Sequence, residues 1–93
     1  MKIVVTIPAF NEEKSIKEAV IGIKKVMNSN RYNYKILVVD DGSRDRTADI
    51  ARKAGATVFS HPKNYGLAET FRTEIEKSLQ LGADVIVHID ADM

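Results

Sequence analysis

Apolar residues follow two alternating patterns along the chain. Short runs of apolar, often β-branched residues predict four strands, at residues 2–7, 35–39, 56–60 and 84–89. The stretches between these runs predict three helices, because apolar positions three or four residues apart form one face of a helix. The order is therefore βαβαβαβ with short connections. This order favours an α/β fold with a parallel sheet and helices on both of its faces.

Polar residues and a proline mark the junction between the first strand and the first helix. Pro8 follows the first apolar run and predicts a loop after it. Apolar residues at helical spacing over 16–27 indicate the helix. Asn11 is a candidate N-cap, and Glu12 and Glu13 suit its first turn. We therefore expect the first helix to begin soon after Asn11.

The second and third helices have their own start and stop signals. Ser43 or Asp45 can cap the second helix, and Gly55 suits the C′ position after it. Gly82 ends the third helix. The apolar residues of the third helix mark one helical face, formed by Leu67, Phe71, Ile75 and Leu79.

The predicted topology places several loops at one edge of the sheet. In a Rossmann-like, doubly wound sheet the fourth strand returns to lie beside the first, and ligands bind at the carboxyl ends of the strands at this switch point. Residues 8–12 and 90–92 then face the same crevice. Asp40 and Asp41 follow the next strand over.

Two carboxylates follow the fourth strand with one residue between them. Side chains alternate along a strand, so Asp90 and Asp92 share a face if the extended geometry persists. Carboxylate oxygens are the ligands that Mg²⁺ and Mn²⁺ prefer, and such ions bridge protein carboxylates to phosphates. The pair therefore indicates a metal site. The alternative from the residues alone is a solvated strand end that marks a turn.

Composition excludes several classes of protein. The chain has 93 residues, of which 44% are hydrophobic and 29% charged, and we interpret residues 1–93 as one globular domain. The net charge of +1 gives no footprint for nucleic acid. There is no cysteine for a disulfide, and no apolar run approaches a membrane span. These features predict a cytoplasmic protein.

Three segments resemble family 2 glycosyltransferases, and most of all the branch of dolichyl-phosphate mannose synthases and polyprenyl-phosphate glucosyltransferases. The segments are IPAFNEE at 7–13, VVDDGSRDRT at 38–47, and NYGL at 64–67 leading to DAD at 90–92. They occur in the family's order and approximate spacing. The resemblance implies the N-terminal, nucleotide-binding half of a GT-A fold.

The resemblance also implies roles for individual residues. The residues that it assigns to nucleotide binding are Pro8, Ala9, Asn11, Glu12, Asp40, Asp41, Arg72 and Asp90. Asp90 and Asp92 match the motif that places Mg²⁺ or Mn²⁺ on the diphosphate of a GDP- or UDP-sugar. The implied reaction is an inverting transfer of the sugar to an acceptor such as a polyprenyl phosphate, at a membrane surface in the full-length relative.

The sequence departs from the family after its acidic motif. Relatives continue with further strands and helices that supply the acceptor site, whereas this chain ends at Met93. We therefore expect a partial domain that is inactive alone, and no catalytic residue is assigned. The fourth strand should also leave an unpaired edge, which predicts a homodimer through that edge.

Two competing interpretations remain open. Residues 35–41 also resemble the opening of a response-regulator receiver domain, in which Asp90 would be the phosphoacceptor. A fragment that only self-associates and binds no ligand is the other. His61 and His88 are interpreted as structural in either case.

Overall fold

Strands and helices alternate along the whole chain in a computed structural model that describes residues 1–91. The elements are β1 (Lys2–Ala9), α1 (Ile16–Ser29), β2 (Asn33–Asp40), α2 (Thr47–Ala54), β3 (Thr57–Ser60), α3 (Leu67–Gln80) and β4 (Val85–His88). The predicted βαβαβαβ order is confirmed. Within residues 1–91, no helix is both long and apolar enough to cross a membrane.

The four strands form one parallel sheet in the order β3-β2-β1-β4. β4 pairs with β1, with Thr6 opposite His88, and β1 pairs with β2, with Ala9 opposite Asp40. The strand order therefore reverses between β1 and β4. The doubly wound topology and its switch point are as predicted.

The main apolar core lies between the sheet and the helices α1 and α2. Ile7, Val38, Ile16, Val20 and Ala51 are fully buried there. Burying a side chain of the size of Val or Ile stabilises a fold by about 1.5–3 kcal/mol. This face therefore supplies much of the stability that holds the carboxyl ends of β1 and β2 in place.

Helix α3 covers the opposite face of the sheet with its polar side. Thr70, Glu74 and Ser78 are buried, with exposed fractions of 1%, 1% and 0%. The predicted apolar face does not pack on the sheet: Leu67, Phe71, Ile75 and Leu79 are 82%, 52%, 37% and 62% exposed. Part of the buried polar side is satisfied locally, since the Thr70 hydroxyl donates to the Gly66 carbonyl at 2.9 Å.

The prediction that Pro8 ends the first strand is wrong, because β1 continues to Ala9. The Thr6 carbonyl accepts from the Ile89 amide on the β4 side, and the Ala9 carbonyl accepts from the Asp41 amide on the β2 side. Backbone groups alternate sides along a strand, so the missing N–H of Pro8 faces the β4 side. Pairing with β4 has already ended there, at the register of Thr6 and His88.

The N-cap prediction for Asn11 is also wrong, because α1 begins at Ile16. The Glu12 carbonyl accepts from the amides of Ser15 and Ile16, so a turn precedes the helix. Asn11 itself has a φ of 53°. Its side-chain oxygen accepts from the Arg44 amide at 2.9 Å instead of capping the helix.

Helix α2 ends at the glycine that the sequence predicted, but its N-cap is Arg46 rather than Ser43 or Asp45. The Asp45 carboxylate accepts from the Thr47 amide at 3.0 Å at the start of the helix. Gly55 follows the helix with a φ of 107°, in the left-handed region that glycine favours. The glycine signal is local, which explains why it could be read from sequence.

Candidate functional site

The carboxyl ends of β1 and β4 open into a cavity of about 310 Å³. It lies at the switch point of the sheet, where ligands of open α/β folds bind. Five of the residues proposed for nucleotide binding line it: Pro8, Ala9, Glu12, Asp41 and Asp90. The fold therefore brings together residues that are up to 82 positions apart in the sequence.

The other three proposed nucleotide-binding residues lie elsewhere. Asn11 and Asp40 line a neighbouring cavity of about 540 Å³, together with Arg44 and Lys63. Arg72 is exposed on α3 and lines neither of these two cavities. The structure therefore groups most, though not all, of the residues that the sequence singled out.

Reciprocal hydrogen bonds fix the loop after β1 to the loop after β2. The Asn11 amide donates to the Ser43 hydroxyl at 2.8 Å, and the Arg44 amide donates to the Asn11 side chain at 2.9 Å. The Glu12 amide donates to the Thr47 hydroxyl at 2.8 Å. These side chains substitute for the helix and sheet bonds that loop backbone lacks. The wall of the cavity near Glu12 is thereby held by hydrogen bonds within the protein.

Asp45 reinforces the same junction from the start of α2. Its carboxylate accepts from the Glu13 amide at 3.2 Å and from both the hydroxyl and the amide of Thr47. Burial raises the pKa of Asp45, but these hydrogen bonds outweigh it and hold the pKa below the ordinary value of 3.8. Asp45 is therefore a structural anion of the loop.

Asp40 is buried and holds the turn that follows β2. Its Oδ1 accepts from the Ser43 amide at 3.0 Å, and its Oδ2 accepts from the Ser60 hydroxyl at 2.9 Å. Asp40 is only 4% exposed. Both oxygens of Asp40 therefore already have a protein partner.

Asp41 is also buried, and it joins β2 to the loop that precedes α3. Its Oδ1 lies 2.7 Å from His61 Nδ1 and accepts from the Tyr65 amide at 2.9 Å, and its Oδ2 accepts from the Gly66 amide at 2.9 Å. The second ring nitrogen of His61 lies 2.8 Å from the Thr73 hydroxyl. Burial raises the pKa of Asp41, but the hydrogen bonds from His61, Tyr65 and Gly66 together hold it below 3.8.

Asp90 differs from the other acids because its side chain is 59% exposed. It follows β4, and its Oδ1 lies 3.3 Å from His88 Nε2. Asp92, its predicted partner in metal binding, lies outside the described residues. Within residues 1–91, no group of three or more His, Asp or Glu side chains is close enough to hold a metal ion. The accessible carboxylate of Asp90 nevertheless has the hard oxygen donors that Mg²⁺ and Mn²⁺ prefer.

Some residues of the 310 Å³ cavity were not singled out as candidate site residues. They are Phe10, Asn64, Gly66, Leu67, Thr70 and Ala91. The signal that the sequence carried for Gly66 is the glycine itself, which marks a turn. In the structure Gly66 has φ 96° and ψ 171°, a combination almost confined to glycine. Nothing local in the sequence marks Phe10 or Thr70 as cavity residues, because their position depends on how α3 crosses the end of β1.

Comparison with known proteins identifies the family. Residues 4–93 match the model described as glycosyl transferase family 2. The chain belongs to glycosyl transferase family 2. The predicted resemblance is thus confirmed by a match that covers nearly the whole sequence.

The relatives of this family 2 chain include transferases that act on lipid phosphates. An uncharacterized protein of Methanocaldococcus jannaschii is 43% identical over 98% of this chain and 35% of its own length. The UDP-N-acetylglucosamine–dolichyl-phosphate N-acetylglucosaminyltransferase of Methanococcus voltae is 34% identical over 92% of this chain and 39% of its own length. The chain thus spans about a third of the length of these relatives.

Solved structures of GT-A glycosyltransferases superpose on the family 2 chain. A glucosyl-3-phosphoglycerate synthase of Mycobacterium tuberculosis, in complex with Mn²⁺, UDP-glucose and phosphoglyceric acid, has a TM-score of 0.76 and 30% identity over 97% of this chain and 33% of that chain. A mannosyl-3-phosphoglycerate synthase of Rubrobacter xylanophilus has a TM-score of 0.82 at 24% identity, over 99% of this chain and 31% of that chain, which shows the fold alone. The predicted GT-A fold is confirmed.

The family match favours the transferase interpretation over a receiver domain. The geometry agrees, because β1 lies between β2, which ends at Asp40 and is followed by Asp41, and β4, which Asp90 follows. The carboxylates of Asp40 and Asp41 are also buried, and they accept from the Ser43 amide and the Gly66 amide respectively. The acids that would have to share one Mg²⁺ in a receiver domain are thus held apart.

Proposed function

We propose that the 310 Å³ cavity at the switch point binds the diphosphate and adjoining groups of a nucleotide sugar. The observation that carries this proposal is the convergence of Pro8, Ala9, Glu12, Asp41 and Asp90 on one cavity in a glycosyl transferase family 2 fold. Asn11 and Asp40 line the adjacent 540 Å³ cavity, where their polar groups suit a base or ribose. Arg72 is exposed on α3 and lines neither cavity, so a role in nucleotide binding would require its side chain to move.

A divalent cation completes the proposed donor site. The residues that would hold it are Asp90 and Asp92, and the accessibility of the Asp90 carboxylate supports this assignment. When bound, Mg²⁺ or Mn²⁺ offsets the negative charge that develops on the leaving diphosphate. Structural relatives in complex with Mn²⁺ or Mg²⁺ and UDP support the same choice of metal and nucleotide.

The reaction and its acceptor are proposed from relatives about three times as long as this chain. We propose an inverting transfer of the sugar to a phosphate acceptor, in which the acceptor oxyanion is the nucleophile and a general base is less needed. A polyprenyl phosphate at a membrane surface is the proposed acceptor. The named activities of the dolichyl-phosphate and undecaprenyl-phosphate transferases among the relatives support it.

A binding assay on the 93-residue chain tests the donor site. Thermal unfolding is measured with UDP, GDP, UDP-glucose and GDP-mannose, each with Mn²⁺ and with EDTA. A shift that is selective for one base and requires Mn²⁺ is expected, since a ligand that binds only the folded state raises its stability. Asp90→Asn should abolish the Mn²⁺-dependent part of the shift.

The matched control is Asp49→Asn, which removes an exposed carboxylate on α2 whose described partner is Arg52. This variant should shift like the unaltered chain. Equal shifts with Mn²⁺ and EDTA would exclude the metal site, and no shift with any nucleotide would exclude the donor site in this chain.

We also propose that the isolated chain self-associates through β4, one of the two edge strands of the described sheet. An unpaired strand edge is a template for pairing with another chain. An apolar groove of about 660 Å³ runs beside this edge between α1 and β4, lined by residues such as Val5, Ile23, Val26 and Val87. Pairing of two β4 edges would cover part of this groove.

A further inference from the structure

Helix α3 buries a carboxylate against the sheet. Glu74 is 1% exposed, and its Oε2 atom is buried without a hydrogen-bond partner in the described part of the chain. Burying an ionisable side chain is unfavourable unless a polar group compensates it. The role of Glu74 therefore depends on which polar group compensates its burial.

That group is His88, the last residue of β4. Its Nδ1 atom lies 2.8 Å from Glu74 Oε1, and its Nε2 atom lies 3.3 Å from Asp90 Oδ1. His88 and Asp90 are two residues apart, so both can face the side of the sheet that α3 covers. The Phe71 ring packs edge-on against the imidazole, with 6.0 Å between the ring centroids. His88 thus bridges a buried carboxylate and the accessible carboxylate of the proposed metal site.

The positions of the hydrogens follow from the two contacts. A carboxylate oxygen accepts hydrogen bonds, so the approach of Nε2 to Asp90 is favourable only if Nε2 carries a hydrogen. Nδ1 then either donates to ionised Glu74 or accepts from protonated Glu74. Both arrangements leave a hydrogen on Nε2, the ring atom that lies 3.3 Å from Asp90 Oδ1.

We propose that His88, oriented by Glu74, is a positioning residue that holds Asp90 through Oδ1 and leaves Oδ2 for the cation. This inference rests on the proposed metal site. Outer groups that orient metal ligands contribute strongly to metal affinity even though they do not touch the metal. The buried Glu74 carboxylate holds the His88 ring in place. The His88 ring in turn holds the Asp90 carboxylate, which is the proposed metal ligand.

Two substitutions of the same residue separate orientation from folding. His88→Asn keeps an amide near the position of Nδ1 and removes the group that reaches Asp90. His88→Gln places an amide nitrogen near the position of Nε2. The measurement is Mn²⁺ affinity in the presence of saturating UDP, from the electron paramagnetic resonance signal of free Mn²⁺. His88→Asn should weaken it by about tenfold, and His88→Gln should restore most of that loss.

The control measurements distinguish the inference from the function on which it rests. UDP binding in EDTA should be the same in His88→Asn as in the unaltered chain, and Lys53→Gln on α2 should change neither value. Equal Mn²⁺ affinity in folded His88→Asn and the unaltered chain would overturn the inference alone. Absence of Mn²⁺-dependent UDP binding by the unaltered chain would overturn the proposed function and the inference together.

A spectroscopic measurement tests the geometry without any ligand. Long-range ¹H–¹⁵N correlations of the His88 ring should show a hydrogen on Nε2. Glu74→Gln, which keeps the shape of the side chain, should change the Nδ1 shift and leave the hydrogen on Nε2. An Nε2 atom without a hydrogen in the folded, unaltered chain would refute the proposed contact.

Discussion

The carboxylate of Asp41 accepts hydrogen bonds from three groups that lie 20 to 25 residues further along the chain. It thereby connects the end of β2 to His61 after β3 and to the loop before α3. Three donors to one carboxylate favour its ionised form, which lowers its pKa despite burial. At the residue scale, hydrogen-bonded acids tie together the loops that form the walls of the candidate site, in addition to the apolar core beneath them.

This arrangement predicts a loss of stability in acid. The pKa of Asp41 is lower in the folded chain than the unfolded value of about 3.9. Its stabilising contribution is therefore fully present above about pH 4 and is lost as the pH falls through the folded pKa. The free energy of unfolding, measured in urea, should decrease over this range, and Asp45 should add to the decrease.

Asp41→Asn provides the control for this pH dependence. The variant should be less stable than the unaltered chain at neutral pH and should lose less stability on acidification. An equally steep loss in both proteins would show that Asp41 does not carry the effect.

Gly42 is required by the close contact between two loops. Its φ is 75°, and a Cβ atom placed there would lie 2.3 Å from the Lys63 carbonyl carbon and 2.5 Å from the Asn64 nitrogen. Gly42→Ala should therefore lower the free energy of unfolding by about 2–3 kcal/mol. Gly22→Ala is the matched control, since a Cβ at that position in α1 meets nothing within 4 Å. The control should stabilise the chain by about 0.5–1 kcal/mol.

At the scale of elements, α3 combines two unusual faces. The side toward the sheet carries Thr70, Glu74 and Ser78, while the apolar side is largely exposed. Thr70 and Glu74 have partners in Gly66 and His88. Ser78 Oγ is buried without a hydrogen-bond partner in the described part of the chain. The helix is thus placed by specific polar contacts as much as by apolar burial.

Removing the Ser78 hydroxyl should stabilise the chain. A buried hydroxyl without a hydrogen bond is destabilising, and alanine also favours helix, so Ser78→Ala should raise the free energy of unfolding by about 1 kcal/mol. Thr70→Val removes a hydroxyl of the same helix that is hydrogen-bonded to Gly66, and it should lower the value by about 1 kcal/mol. Chemical denaturation measures both, and destabilisation by Ser78→Ala would contradict the assignment.

At the scale of the whole molecule, the described sheet has β4 at one edge with apolar residues beside it. Val85 and Val87 are 37% and 39% exposed, and Val87 lines the 660 Å³ groove. The chain also spans only about a third of the length of these two family relatives. The proposed donor site lies at the carboxyl end of β4, and the open edge runs along the same strand. Self-association and ligand binding should therefore be measured together.

Sedimentation should show reversible self-association of the isolated chain that increases with concentration. Val87→Lys places a charge beside the edge and should shift the equilibrium toward monomer. Leu79→Lys is the matched control, because Leu79 is an exposed apolar residue on α3, and it should leave the equilibrium unchanged. A monodisperse monomer of the unaltered chain at all concentrations would exclude the proposed dimer.

The sequence by itself determined the order of the elements, the switch point and the acids that end β2 and β4. These features depend on local periodicity, on turn residues such as Gly55, and on the general rules for parallel crossovers. The family resemblance rested on short segments that are visible without coordinates. It could therefore be predicted from the sequence that Pro8, Ala9 and Asp90 lie together, and they line the same cavity.

The tertiary structure alone decided which side of α3 faces the sheet and what the polar side chains contact. The apolar spacing of Leu67 and Phe71 identified a helix, but the face that is buried is the one that carries Glu74. The partner of Glu74 is His88, which lies 14 residues away on β4. Asn11 resembled a helix cap but bonds to the loop after β2, 33 residues away. Local patterns carry no information about such partners, because these contacts form only when the sheet brings distant segments together.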